Sequence, residues 1–188
     1  QIRNVATLAG NMATASPIGD SLPLLLSLDA TITIESFNKK MTIPLKDFFI
    51  GYRKTKLKKG QFISSIRIPI FKQNIFKAYK ISKRIDDDIS SVCASFNLAI
   101  VNKKIKNIKI AYGGMAATPK RAIYCEKMLL NSNFSEDIIL KAQKSLEKDF
   151  QPIDDMRASK DYRVEIAKNL LTKCFAEIKK NKLIRLSY

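Results

Sequence analysis

Histidine and tryptophan are absent from all 188 residues, and cysteine occurs three times. Without histidine there is no Ser-His or Cys-His pair, so the usual general base of a hydrolase is missing. Cys93, Cys125 and Cys174 are odd in number, widely spaced and free of any Cys-x-x-Cys pair. They supply neither a zinc site nor a disulfide framework, and read as buried free thiols in a reducing cytoplasm. No apolar run approaches the roughly 18 residues that a membrane span needs. The opening Gln-Ile-Arg-Asn-Val-Ala has neither an initiating Met nor a signal-type layout. That is expected of a processed chain or of one piece of a longer polypeptide.

Acidic residues are scarce too: 17 against 34 Lys and Arg, a formal charge of +17. Such a balance raises nucleic-acid binding, but its distribution points elsewhere. Up to Ile70 there are ten basic and four acidic residues, and afterwards twenty-four and thirteen, so no single element gathers the excess. The densest cluster, Arg53 to Lys59, ends at Gly60 between apolar segments and reads as a solvated hairpin loop. It lacks the interleaved aromatics of a base-stacking platform. No nucleic-acid partner is expected.

What is present suits a globular domain with a proper core: 46% apolar and 27% charged residues. A short buried helix is expected from Asp20 to Leu28, capped by Asp20 or Ser21. Alternation predicts strands over 30–35, 41–45, 62–69 and 76–82, then a hairpin of 90–101 and 105–112 around Asn102-Lys103-Lys104. From Thr118 the pattern turns helical. Thr118-Pro119 predicts a helix start leading to Leu130, Ser135-Glu136-Asp137 opens a second helix, and Ser159 to Lys180 a third. In the third, Tyr162, Ile166, Leu170, Cys174 and Ile178 form one apolar stripe. The expected class is α+β, an antiparallel meander with helices on one face. A composition change at Phe71–Asn74 divides residues 1–73 from 74–188.

Three stretches carry candidate chemistry. Thr7 to Asp20 is fourteen residues of small, hydroxylated and turn-forming side chains with no charge before Asp20. Gly10 allows close backbone approach, and Asn11, Thr14 and Ser16 offer short donors, as a loop around a pyrophosphate requires. A loop that merely caps the next helix fits as well. Ala78 to Ile89 sets Lys80, Lys83 and Arg84 before Asp86, Asp87 and Asp88, which suits either a functional loop or an internally paired turn. Tyr112 to Arg121 ends a strand on two glycines and leads to a helix start, suited to an anion or to tight packing.

Together these stretches resemble the FAD-binding region of the xanthine dehydrogenase family, in its bacterial small-subunit form. The resemblance rests on Ile2 to Asn11 with Ala15 to Asp20, Tyr79 to Arg84 with Asp88-Ile-Ser, Gly113 to Arg121, and Asp155 to Ser159 with Tyr162-Arg163. It covers essentially the whole chain, in family order. Related molybdenum hydroxylases, such as carbon monoxide dehydrogenase flavoproteins and aldehyde oxidases, share parts of it. Ala9 stands where the family usually has glycine, and the family's first glycine-rich phosphate loop would lie upstream of Gln1.

The resemblance implies the C-terminal half of a vanillyl-alcohol-oxidase-type FAD subdomain, then a carbon monoxide dehydrogenase flavoprotein C-terminal-like subdomain. It implies electrons passing from purine oxidation at a molybdenum centre through iron–sulfur clusters to FAD and NAD. The iron–sulfur domain and molybdenum-binding large subunit would lie elsewhere in a cytoplasmic hetero-oligomer. By matching positions, Thr7, Gly10, Asn11 and Thr14 would meet the pyrophosphate and Asp20 the ribose side. Ile63 and Lys80 would lie near the flavin ring, and Asp86, Asp87 and Asp88 on the NAD side. No catalytic side chain and no metal ligand is implied in this chain.

Overall fold

The computed structural model describes residues 2–85 and 88–184. Period-2 patterning builds its two main sheets. In the first, β1 (Thr31–Ser36) lies between β2 (Lys39–Pro44) and β5 (Phe62–Arg67), antiparallel to both. Ile32 and Ile34 point into a core with Met12, Leu25, Phe48 and Ile63. The basic stretch expected as pure loop contributes a strand: β4 (Lys54–Thr55) pairs with β3 (Phe49–Gly51), turning at Arg53 with φ 50°.

The second sheet runs β6 (Ile75–Ile81), β7 (Val92–Val101), β8 (Lys104–Gly113) and β9 (Lys120–Arg121) in sequence order. Asn102 and Lys103, with φ 49° and 60°, make the expected hairpin turn. Two left-handed residues match the twist of the flanking strands there. Alternation then assigns the two faces of β7 and β8. Val92, Ala94, Phe96, Leu98, Ile110 and Tyr112 join the core under α4 (Ile123–Leu129), α5 (Glu136–Asp149) and α6 (Lys160–Lys180). The small residues Cys93, Ser95, Ala111 and Gly113 form the opposite face.

That opposite face receives α3 (Ser21–Ser27). The Ser27 and Ser95 hydroxyls lie 2.7 Å apart, and Asn97 Nδ2 donates to the Ser27 carbonyl at 3.0 Å. Beyond the helix, Asp29 is held by Lys109 and by Arg121, the latter at 3.4 Å. The three C-terminal helices share one face, as expected, while α3 covers the other and ties the two sheets together.

Helix starts depart from expectation in instructive ways. Thr118-Pro119 starts no helix; β9 follows it, and α4 begins at Ile123. Its first amides, of Tyr124 and Cys125, donate to the carboxylate of Asp149 at 2.9 Å each, so the cap comes from the far end of α5. Ser159 does cap α6, accepting from the Tyr162 amide at 3.2 Å. The expected stripe of α6 holds at Leu170 and Cys174, with Ile166 and Ile178 packed against the core, and it widens to Arg163, Ala167, Leu171 and Phe175, while Tyr162 is exposed. Among the described residues no helix is long and apolar enough to cross a membrane.

Candidate functional site

An open cleft of about 690 Å³ lies between the segment from Ala6 to Ser21 and the residues Asp88, Ile89 and Ser90 ahead of β7. The first wall corrects the sequence reading. Ahead of it α1 (Ile2–Val5) forms one helical turn, and much of the supposed loop is α2 (Leu8–Thr14). Thr7 caps α2: its hydroxyl accepts from the Gly10 amide at 2.9 Å, and its carbonyl from Asn11 at 3.0 Å. The Thr14 hydroxyl donates back to the Gly10 carbonyl at 2.9 Å. Thr7, Gly10 and Thr14 thus serve one another. A Cβ on Gly10 would stand 2.9 Å from the Thr7 hydroxyl oxygen, so glycine keeps that cap in place.

The amides of Gly10 and Asn11 are therefore consumed within the helix. Side chains add donors toward the cleft. The Asn11 carboxamide oxygen accepts from the Ser21 hydroxyl at 2.5 Å, which leaves its NH2 end as the donor side. Ala15 ends α2 with φ 49°, and the chain then loops back to Asp20.

Asp20 is the junction of the site. It does not cap α3, having no side-chain cap bond. Its carboxylate instead accepts from Lys80 Nζ of β6 at 2.8 Å and from the Ser90 hydroxyl. A carboxylate has about four lone-pair sites, so two partners leave capacity for a ligand hydroxyl. The Lys80–Asp20 pair is about two-fifths exposed on each side. Such a pair contributes little stability; its effect is to fix a charge pair at the rim.

The other expected residues divide. Ile63 is buried in the core with Met12, beneath α2 and away from the cleft lining. Asp88 does line the cleft, and its carboxylate accepts from the Arg84 amide at 2.9 Å and the Ile89 amide at 2.8 Å. Those bonds, the Arg84 amide foremost, hold its carboxyl below the usual range. Asp86 and Asp87 lie outside the described residues.

The glycine pair has its explanation in packing. A Cβ on Gly113 would stand 3.1 Å from both the Pro17 carbonyl and the Pro23 ring. The Gly114 amide donates to the Pro17 carbonyl at 2.7 Å. The end of β8 is thus where the loop leading to Asp20 docks. Cys93 lies beside Asp20 with its Sγ 3.7 Å from the Asp20 carbonyl; burial first, then the Asp20 charge, pushes its thiol up to about 12. It is an inert packing residue. Sequence reasoning counted Arg163 in the Tyr162-Arg163 match but gave it no role, although its inward phase was visible in its i+4 and i+7 relation to Ala167 and Leu170.

These features fit part of a dinucleotide. The cleft volume falls within the roughly 300–1,000 Å³ of ligand sites. Its walls combine small residues with Leu8, Ile18 and Ile89, and it presents an acceptor carboxylate with spare lone pairs beside a lysine and hydroxyl and carboxamide donors.

Comparison with known proteins supplies the family. Residues 77–178 match the CO dehydrogenase flavoprotein C-terminal domain, and residues 1–71 the FAD binding domain in molybdopterin dehydrogenase. Xanthine dehydrogenase of Emericella nidulans is 40% identical over 154 residues, covering 80% of this chain and 11% of that protein. The glyceraldehyde dehydrogenase medium chain of Sulfolobus acidocaldarius is 29% identical over 178 residues, covering 95% and 63%. Carbon monoxide dehydrogenase from Hydrogenophaga pseudoflava, solved without the Mo-pyranopterin moiety, superposes with a TM-score of 0.86 at 25% identity, over 91% of this chain and 60% of that one. The chain thus spans about a ninth of its fungal relative and under two thirds of the others. It belongs to the FAD-binding flavoprotein part of the molybdenum hydroxylase family.

Proposed function

We propose that this chain is the FAD-binding electron-transfer portion of a xanthine dehydrogenase, working beside an iron–sulfur domain and a molybdenum-binding large subunit. The xanthine branch is supported by 40% identity to a xanthine dehydrogenase over 154 residues, against 29% to the glyceraldehyde dehydrogenase medium chain, although a nicotinate hydroxylase of the same fungus is also 40% identical, over 146 residues. In this reading hypoxanthine or xanthine is the electron source and NAD the final acceptor. Three free, buried thiols support a reducing, cytoplasmic setting.

When bound, FAD supplies the hydride and single-electron chemistry, and the protein positions and tunes it. Asp20 accepts a ribose hydroxyl, with Lys80 and Ser90 holding the carboxylate in place. Thr7 and Asn11 offer a hydroxyl and a carboxamide to the pyrophosphate, while Gly10 and Thr14 fix the helix start that presents them. Ile63 backs α2 from the core. Lys80 brings positive charge toward the flavin end, which favours an anionic reduced state, and Asp88 stands on the NAD side of the cleft.

The observation that carries the reading is the convergence on Asp20 of Lys80 and Ser90 at the rim of the cleft. Asp20→Asn in the complete flavoprotein should weaken FAD binding about tenfold to a hundredfold, the range expected for a lost charged hydrogen bond. Titration by flavin fluorescence measures it. Unchanged affinity, or no FAD uptake by the parent protein, would reject the assignment. In the holoenzyme assembled with its iron–sulfur and molybdenum parts, bleaching of the flavin by glyceraldehyde or nicotinate but not by xanthine would move it to another molybdenum hydroxylase.

A further inference from the structure

Arg163 is only 1% exposed and heads the fully buried side chains in volume. Taking a guanidinium out of water is costly unless its donors are matched. Its Nη1 donates to the carbonyls of Ser91 and Gly114, the latter at 3.0 Å, and its Nη2 to Asp155 at 2.7 Å. Among the described residues Nε has no hydrogen-bond partner. Arg163 is not among the residues that line the cleft.

Its two carbonyl contacts nevertheless lead to Asp20 by separate routes. Ser91 follows Ser90, whose hydroxyl donates to the Asp20 carboxylate. Gly114 donates its amide to Pro17, in the loop that carries the chain from α2 to Asp20. The two backbones meet closely behind the cleft, since a Cβ on Gly114 would stand 2.3 Å from the Ser91 carbonyl oxygen. Asp155 secures the guanidinium from the far side and also accepts the amides of Arg157 and Ala158 at 2.8 and 3.1 Å.

We infer that Arg163 is a positioning residue for Asp20, holding from behind both the serine that orients the carboxylate and the loop that carries it. A buried arginine with a merely structural role would stabilise the domain as a whole. A positioning arginine loosens two named segments and acts on ligand binding only through Asp20. The binding part of this inference rests on the flavin reading above; the loosening of the segments does not.

The test uses the complete flavoprotein with Arg163→Gln and Asp155→Asn. Hydrogen exchange, read by mass spectrometry, should rise about tenfold in residues 15–21 and 88–92 of Arg163→Gln, within the ~0.5–2 kcal/mol typical of such couplings. Residues 31–36 and 136–149 should be unchanged. FAD affinity should fall by a similar factor, with no further loss when Asp20→Asn is already present. Asp155→Asn keeps the buried guanidinium and should show the same pattern more weakly; it decides the matter if Arg163→Gln does not assemble. A uniform rise in exchange, no rise in the two segments, or losses that add with Asp20→Asn would overturn the role. If the parent binds no FAD but the two segments still loosen, the flavin reading fails and the positioning stands.

Discussion

Gly60 and Gly114 share a left-handed backbone, with φ +78° and +80°, but not an environment. Nothing lies within 4 Å of a Cβ built on Gly60, whereas one on Gly114 would press into the Ser91 carbonyl at 2.3 Å. Gly60→Ala should therefore cost about 1 kcal/mol of backbone strain. Gly114→Ala should cost about 3 kcal/mol or more, since backbone must shift as well. Denaturant midpoints of the two variants check this, and equal costs would contradict the close approach. The glycine pair was legible in sequence as a residue type, but its partner was not. Ser91 lies twenty-three positions away and announces nothing. Arg163 was legible as part of the Tyr162-Arg163 match, but its burial was not: a charge is expected to be solvated, and only its helical phase showed otherwise. Asp20 was legible as a functional carboxylate, yet the alternative of a helix cap fitted equally well until Lys80 and Ser90 were seen to claim it.

At the scale of elements, β6 and α6 are locked together by Glu177, which is 2% exposed. It accepts from the Tyr79 hydroxyl at 2.9 Å and the Ile184 amide at 3.1 Å, with Lys77 and Lys173 at 3.4 and 3.5 Å. Burial raises its carboxyl, but these amide, phenol and lysine contacts outweigh that and hold it below the ordinary 4.5. Alternation along β6 places Tyr79 on the α6 side and Lys80 on the Asp20 side, so this lock sets the phase of the strand that presents Lys80. A depressed carboxylate stabilises the fold fully above its unfolded value and loses that contribution as pH falls through its folded value. Glu177→Gln should thus lower stability by about 1–3 kcal/mol at pH 7, and the gap to the parent should shrink below about pH 4.5. Glu126, raised chiefly by burial, works in the opposite sense but is common to both proteins and cancels. Thermal unfolding at several pH values measures the gap, and a constant gap down to pH 3 would contradict the depressed carboxyl. The strands were legible because alternation is a strong local signal. α2 was not: Gly, Asn and Thr are poor helix formers, and the helix depends on the Thr7 cap and on Met12 reaching the core. The start of α4 was misplaced because its cap, Asp149, comes from another helix.

For the whole molecule, the decisive contacts are those of α3, which lies between two apolar cores and meets the second sheet through polar groups as well as through Ala111 and Gly113. Ser27, Ser95 and Asn97 share hydrogen bonds there, and Asp29 and Asp20 pair with Lys109, Arg121 and Lys80. Buried polar groups such as Ser27, Ser95 and Asn97 are costly when separated, because each loses its partner to an imperfectly hydrated interface. The two cores should accordingly unfold together. The three thiols report on this from different places: Cys93 faces α3 beside Asp20, while Cys125 and Cys174 lie in the core under the helices. Burial, the largest cause for each, raises all three thiols, with Cys93 and Cys174 reaching about 12, so none should react while folded. In a denaturant series with pulsed alkylation, read cysteine by cysteine in the parent protein, the three midpoints should coincide. If Cys93 is labelled at clearly lower denaturant than Cys125 and Cys174, then α3 separates from the second sheet before either core melts. The Lys80–Asp20 junction would then be a contact between independent bodies, and Asp20 could not be held in place from both sides at once.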